Sequence, residues 1–132
     1  MRVDVSAYHN AFRLLGTRAA MDTGPGAATI EIYAEEVSGG SPTGSPPLVV
    51  IVLAKPSATI GSDGKLLLIQ ADLAGDLIMV TGAAAGARFK GANDEWIMDT
   101  DVGLEASDAA VRLPTLALYA GGRCPLAPSK IG

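Results

Sequence analysis

The chain has 132 residues, enough for one hydrophobic core and too few for two; 48% are apolar, 18% are charged, and the formal net charge is −4. Its ten lysines and arginines are scattered singly from Arg2 to Lys130, which argues against direct DNA or RNA binding. One cysteine excludes an internal disulfide, and no run of about 18 apolar residues exists to form a membrane-spanning helix.

Alanine and glycine supply much of the apolar excess, and aromatics make up only 5%. Small side chains bury little area each, at roughly 25 cal/mol per Å². Such a core favours completion against a partner. The first residues, Met1-Arg2-Val3-Asp4-Val5, lack a basic region followed by an apolar one, so no signal peptide is expected. The lone cysteine fits synthesis in a reducing cytoplasm.

In chain order, residues 6–22 form the one convincing helix. Ser6 is placed to cap it, and Tyr8, Ala11, Phe12, Leu15 and Ala19 recur at helical spacing as its expected apolar stripe. Gly16 weakens its middle by about 1 kcal/mol relative to alanine. Gly24-Pro25-Gly26 ends it. Beyond this break the period changes. In residues 28–35, Ala28, Ile30, Ile32 and Ala34 alternate with polar neighbours as a half-buried strand. Residues 38–47, rich in Gly, Ser and Pro, are expected to be a flexible exposed loop unless a neighbour holds them.

The apolar run 48–54 reads as a strand covered on both faces and closed by Lys55-Pro56. Ser62-Asp63-Gly64 is a turn into a strand at 65–70. Residues 76–81 form another strand, and 82–86 a small, flexible stretch. A hairpin is expected between 87–90 and 95–100, turning at residues 91–94. Strands at 111–113 and 115–119, split by Pro114, precede a turn at Gly121-Gly122. The chain is thus one domain over 1–132: mainly β, an antiparallel β-sandwich or barrel-like body over 28–127 with one N-terminal α-helix.

The residues offer little chemistry. His9 is the sole histidine and lies on the polar side of the expected helix. With one Cys and one His, zinc sites and Cys/His or Ser/His/Asp catalysis lack their parts. Asp94, Glu95, Asp99 and Asp101 form the best candidate cluster. On a strand, Asp99 and Asp101 would face one side and could share a cation, but a calcium loop needs more oxygen ligands. A solvated hairpin face is the favoured reading, and no aromatic-lined cleft is in prospect for paired-carboxylate hydrolysis. The glycine-rich stretches contain no phosphate-cradling pattern. Phe89, Tyr33 and Trp96 are assigned to the core, where a small-residue interior needs large fillers. Cys124 follows Arg123, whose charge would lower the thiol pKa, but a lone thiol without a base is inert. The expectation is no enzyme, no cofactor and no resident metal.

Three segments together resemble a family of small structural proteins encoded in the morphogenesis regions of tailed phages and prophages. The first is the helix over 11–21, the Gly24-Pro25-Gly26 break and the alternating strand Ala28-Thr29-Ile30-Glu31-Ile32-Tyr33. The second, residues 87–103, is similar to the family's strand–turn–strand unit and ends in Met98-Asp99-Thr100-Asp101-Val102-Gly103, like the family's Met-Asp-x-x-Val-Gly run. The third is Ala120-Gly121-Gly122, where members turn into a last strand. Members finish with alternating Thr, Ser and Val, whereas this chain reads Arg123-Cys124-Pro125-Leu126-Ala127-Pro128, which implies a shortened or rebuilt last strand.

The resemblance implies a virion component without catalysis, made in the bacterial host cytoplasm, whose partners are other virion proteins and copies of itself. Capsid surface, neck and tail are all compatible with it. Contacts would come from sheet edges and extensions, with Gly39, Ser41, Pro42 and Pro46 in the loop and Cys124, Pro125 and Leu126 near the end as candidates. Two other readings differ in kind. A ligand- or receptor-binding β-module at the tail tip would expose Tyr33, Trp96 or Tyr119 on one surface. A small metal-dependent enzyme would use Asp99 and Asp101.

Overall fold

The computed structural model describes residues 2–132. Ser6 starts the helix: its Oγ accepts a hydrogen bond from the His9 amide at 3.1 Å, satisfying a donor that has no partner within the first turn, and α1 runs Ala7–Asp22. The helix stops where Gly24 takes φ +136°. A Cβ there would lie 2.8 Å from the Ala92 carbonyl carbon, so only glycine lets the chain turn this close to its neighbour. Lys55 Nζ donates to the Gly24 and Gly26 carbonyls at 2.6 and 3.0 Å, holding the exit from the helix.

The rotation of α1 differs from the expected stripe. Leu14 and Met21, two turns apart, are buried, whereas Tyr8 and Phe12 face outward. Polar anchors decide this. The Ser57 amide donates to the Asp22 carboxylate at 3.1 and 3.2 Å, and Arg18 Nη1 donates to the Ala58 carbonyl at 3.4 Å. With those two contacts made, Leu14 and Met21 point at the sheet.

The strands, in chain order, are β1 (Thr29–Tyr33), β2 (Val49–Ile60), β3 (Leu66–Gln70), β4 (Asp76–Leu77), β5 (Gly82–Ala83), β6 (Gly86–Lys90), β7 (Trp96–Leu104), β8 (Val111–Leu113), β9 (Ala117–Leu118), β10 (Arg123–Cys124) and β11 (Lys130–Ile131). Seven of them make one sheet in the order β11-β3-β2-β1-β6-β7-β8, antiparallel except for the parallel β7–β8 pair. The sheet curls into a nearly closed barrel. Hydrogen bonds around Ser129 stitch the seam: Ala127 N donates to Arg112 O at 2.9 Å, Arg112 N to the Ser129 side-chain Oγ at 2.8 Å, and Leu68 N to Ser129 O at 3.0 Å. The last segment therefore joins β8 to β3 and leaves little sheet edge there. The fold is mainly β with one N-terminal helix, as expected, but the β body extends to Ile131 rather than ending at 127.

The barrel interior is filled by Ile30, Ile32, Val49, Ile51, Leu53, Leu66, Val111 and Leu113 around the fully buried Phe89. Alternation in β1 holds through Ile32, with Ala34 outside. β2 departs from expectation twice. It alternates, with Val49, Ile51 and Leu53 inside and Val52 exposed, because a run of apolar residues conceals a period of two. It also continues past Lys55-Pro56 to Ile60; Pro56 lies where the pairing with β3 shifts register, so its missing N–H breaks no ladder.

Residues 76–81 are not one strand: only β4 pairs, with β10, and then Ile78 exchanges backbone bonds with Gly121 and Gly122. Residues 82–86 are ordered by pairing rather than flexible. β5 pairs with β9, which is shorter than the expected 115–119, and β6 begins at Gly86, where a Cβ would meet the Glu35 carbonyl oxygen at 2.6 Å. The expected hairpin is present as β6–β7, with Asp94 at φ +60° in its turn.

Candidate functional site

Two surface regions stand out, one polar and one apolar. The polar one lies on the outer face of β1, β6 and β7, where the register places Glu31 opposite Arg88 and Arg88 opposite Asp99. Arg88 Nε and Nη2 donate to the two Asp99 oxygens at 2.8 and 3.0 Å, a bidentate pair with side chains only 9% and 4% exposed. Trp96 Nε1 adds a bond to Asp99 Oδ1 at 3.1 Å, and the Gly40 amide donates to Oδ2 at 2.8 Å. These donors, Arg88 foremost, hold the Asp99 carboxyl down at about 2, and Asp99 in turn raises the Arg88 guanidinium above its ordinary value. Beside them Tyr33 donates to Glu31 Oε1 at 2.9 Å, and burial first, then that partner, raises the phenol. Lys90 Nζ lies 3.7 Å from the same Glu31 oxygen.

Asp99 is therefore neither solvated nor free: its oxygens are taken by Arg88, Trp96 and Gly40. Asp101, the other half of the expected cation pair, is exposed and accepts the Ala110 amide at 2.9 Å. Asp94 and Glu95 stay exposed in the hairpin turn. Among the described residues no three or more His, Cys, Asp or Glu side chains converge as a metal-holding group.

The polar cluster holds the loop at 38–47 from within the chain. The Gly44 amide donates to Glu35 Oε1 at 2.6 Å, Gly40 is bound to Asp99, and a Cβ on Gly40 would lie 3.0 Å from the Trp96 ring. Gly39, Ser41, Pro42 and Pro46 are exposed on this tethered loop. Trp96 is not core: it is 49% exposed and covers Gly40, because its N–H finds Asp99 on the outer face. Phe89 and Tyr33 are buried as expected, so Tyr33 forms no part of an exposed aromatic platform.

The apolar region surrounds β4, β10 and the C-terminal segment. Ile78 turns inward while Leu77 and Met79, one residue to either side, are exposed; Val80 and Tyr119 are exposed with them, and Leu73 is 83% exposed. A groove of about 330 Å³ lies beside Leu73, walled by Leu67, Ile69, Leu126 and Pro128. Buried Gln70 supports the wall: its Nε2 donates to Asp76 Oδ2 at 2.8 Å and its Oε1 accepts the Leu126 amide at 2.7 Å. Leu126 thus borders a surface open to a neighbour and Pro125 is half-buried, but Cys124 is buried and cannot touch one. Its thiol is pushed up to about 11 by burial, with the Asp76 charge adding to it. This reverses the lowering expected from Arg123, which is exposed.

Sequence reading missed Arg88 as the partner of Asp99: a regular hairpin turning at 91–94 would set Arg88 opposite Ile97, and the register shift between Phe89 and Lys90 brings Asp99 across from it instead. It also missed Leu73, Leu77 and Met79, whose exposure depends on how residues 71–81 pack against 119–125. His9 is exposed on α1, as expected. No protein-family model, curated protein or solved structure matches the chain.

Proposed function

We propose that the chain is a non-enzymatic structural protein of a tailed-bacteriophage virion that assembles with copies of itself and with other virion proteins at the capsid surface, neck or tail. The observation that carries this reading is the apolar ledge of Leu73, Leu77, Met79, Val80 and Tyr119 on a barrel whose own edges are stitched together. A nearly closed barrel has no internal use for such a surface, and large apolar residues exposed on adjoining segments favour contact with another protein. The resemblance of residues 87–103 to a phage structural unit supports the virion as the setting. Assembly also suits the pinned loop, which presents Pro42 and Pro46 at small entropic cost.

Cryo-EM reconstruction of purified particles tests the proposal. Density for the barrel, with Leu77 and Met79 against a neighbouring subunit, is the expected result, and its location separates decoration from a connector or attachment role. A complete particle without the chain overturns it. The second reading is a receptor-binding module at the tail tip, favoured by the exposed Tyr119 and half-exposed Trp96. Glycan binding by the free monomer, abolished in Trp96→Ala, would support that reading instead.

A further inference from the structure

The stitching at Ser129 leaves one stretch of strand edge open. β8 pairs with Val102–Leu104 of β7 and no further, whereas β6 pairs with β7 from Trp96 to Asp101. Among the described residues no strand lies on the other side of Trp96–Asp101. In an antiparallel ladder alternate residues direct their N–H and C=O groups to one neighbour, and the rest point away from it. Asp99 shows that water reaches this edge. Its side chain is 4% exposed, yet the residue as a whole is half-buried rather than buried, so its accessible surface is main chain. Arg88, opposite it on β6, is buried.

The charge around this edge is one-sided. From Gly91 to Val111 the sequence holds Asp94, Glu95, Asp99, Asp101, Glu105 and Asp108 and no lysine or arginine. Arg88 neutralises Asp99, and the other five carboxylates are on exposed residues. Asp94 and Glu95 stand before the open stretch, Asp101 ends it, and Glu105 and Asp108 lie on or beside the crossover from β7 to β8. Two cations are nearby, and both are engaged. Lys90 Nζ lies 3.8 Å from Asp94 and 3.7 Å from Glu31, and Arg112 donates to the Ala109 and Glu105 carbonyls. The same edge of a second copy would set like charges together, so the complement is a strand of opposite sign.

We propose that the β7 edge at Trp96–Asp101 is a docking site for an extended basic segment of another protein, which adds there as a further strand. Main-chain hydrogen bonds join the two, because the open edge offers N–H and C=O groups that nothing in the barrel takes. Side-chain alternation then selects the sequence. Asp101 shares the outer face with Asp99, two residues away, and calls for lysine or arginine; Met98, on the other face, packs against the core and calls for an apolar neighbour. Attraction between the opposite charges speeds encounter and fixes register. The Arg88–Asp99 pair stays closed throughout, since the contact is made by main chain beside it. This edge is also separate from the apolar ledge at Leu77 and Met79, so either surface can fail with the other intact.

The test titrates the full chain with a synthetic peptide, acetyl-Lys-Val-Lys-Val-Lys-Val-amide. Binding is followed by the fluorescence of Trp96, the sole tryptophan, and by amide hydrogen exchange. Saturable binding is expected, with slowed exchange concentrated in residues 96–101 and weaker affinity as salt is raised. The same peptide methylated on every amide nitrogen keeps its charge but loses its donors, and should not bind; nor should the peptide with glutamate in place of lysine. Asp94→Asn, Glu95→Gln and Asp101→Asn are combined in one variant. Asparagine tolerates the φ of +60° at position 94, and at 101 it can still accept the Ala110 amide. This variant should fold as the wild type does and bind the peptide about tenfold more weakly. No saturation below about 1 mM overturns the proposal and leaves the carboxylates as guards against edge pairing. Equal binding by the methylated peptide, unchanged affinity in the triple variant, or protection that falls on Leu77–Met79 overturns it too.

Discussion

The outer face of β1, β6 and β7 and the ledge around β4 and β10 both lie outside the barrel core, yet they are finished in opposite ways. On the first, every strong polar group has a partner inside the chain: Arg88 with Asp99, Tyr33 with Glu31, Gly40 and Trp96 on Asp99. On the second, Leu73, Leu77 and Met79 are left to water. The difference follows from cost. A charge withdrawn from water without a partner is severely penalised, so the fold must satisfy it locally. An exposed leucine costs little in the monomer and gains when a neighbour covers it. The polar face therefore belongs to folding, and the apolar ledge is the surface on which the proposed association rests.

The largest expected effect comes from breaking the polar face. Arg88→Ala leaves the Asp99 carboxylate buried beside an empty space and should destabilise the protein by about 3–5 kcal/mol in chemical denaturation. Replacing both partners together, Arg88→Met with Asp99→Leu, should cost less than the single change. If the two cost the same, the pair is not acting as a unit.

Acid should open the same region. The Asp99 carboxyl is lowered from 3.8 to about 2 in the folded protein, so the unfolded chain takes up its proton first as pH falls. The stabilisation is fully present above about pH 4 and is lost as pH falls through about 2, amounting to about 2 kcal/mol. Denaturation midpoints across that window should drop in the wild type and fall less steeply in Asp99→Asn.

Trp96→Ala removes one hydrogen bond and the cover over Gly40 while leaving Arg88–Asp99 intact. A loss of about 1 kcal/mol is expected, together with faster amide exchange and proteolysis confined to the loop at 38–47. Uniformly faster exchange would mean that the loop is not an independent strap.

The smallest change in stability, within about 0.5 kcal/mol, is expected for Leu77→Lys and Met79→Lys on the ledge. Under the proposed assembly role, their effect should appear instead as reduced incorporation into particles. A large loss of stability in the isolated monomer would erase the distinction between the two regions.

Much of this was legible from amino-acid order because it is set within a few residues. Ser6 and Gly24 bound the helix, and residues 91–94 turn the hairpin. The Gly-Pro break and the alternation of Ile30 and Ile32 mark the change from helix to sheet. Local capping, turn geometry and a period of two need no knowledge of distant residues. The same order placed Asp99 and Asp101 on one strand but could not assign Arg88 to Asp99, because that pairing depends on hairpin register.

Other features were decided only by tertiary structure. Asp22 meeting Ser57, 35 residues away, fixes the rotation that turns Leu14 and Met21 inward, whereas periodicity along the sequence had pointed to the stripe of Tyr8, Ala11, Phe12, Leu15 and Ala19. Strand β2 runs through Pro56 because its partner strand shifts register there. Ser129 closes the barrel by binding β3 and β8 at once, across separations no local pattern encodes. Hydrophobic order along the chain determined that a small, mainly β core would form behind one helix. Which apolar surfaces remained outside, and so available to another chain, was determined by the long-range polar contacts that set how the pieces rotate against one another.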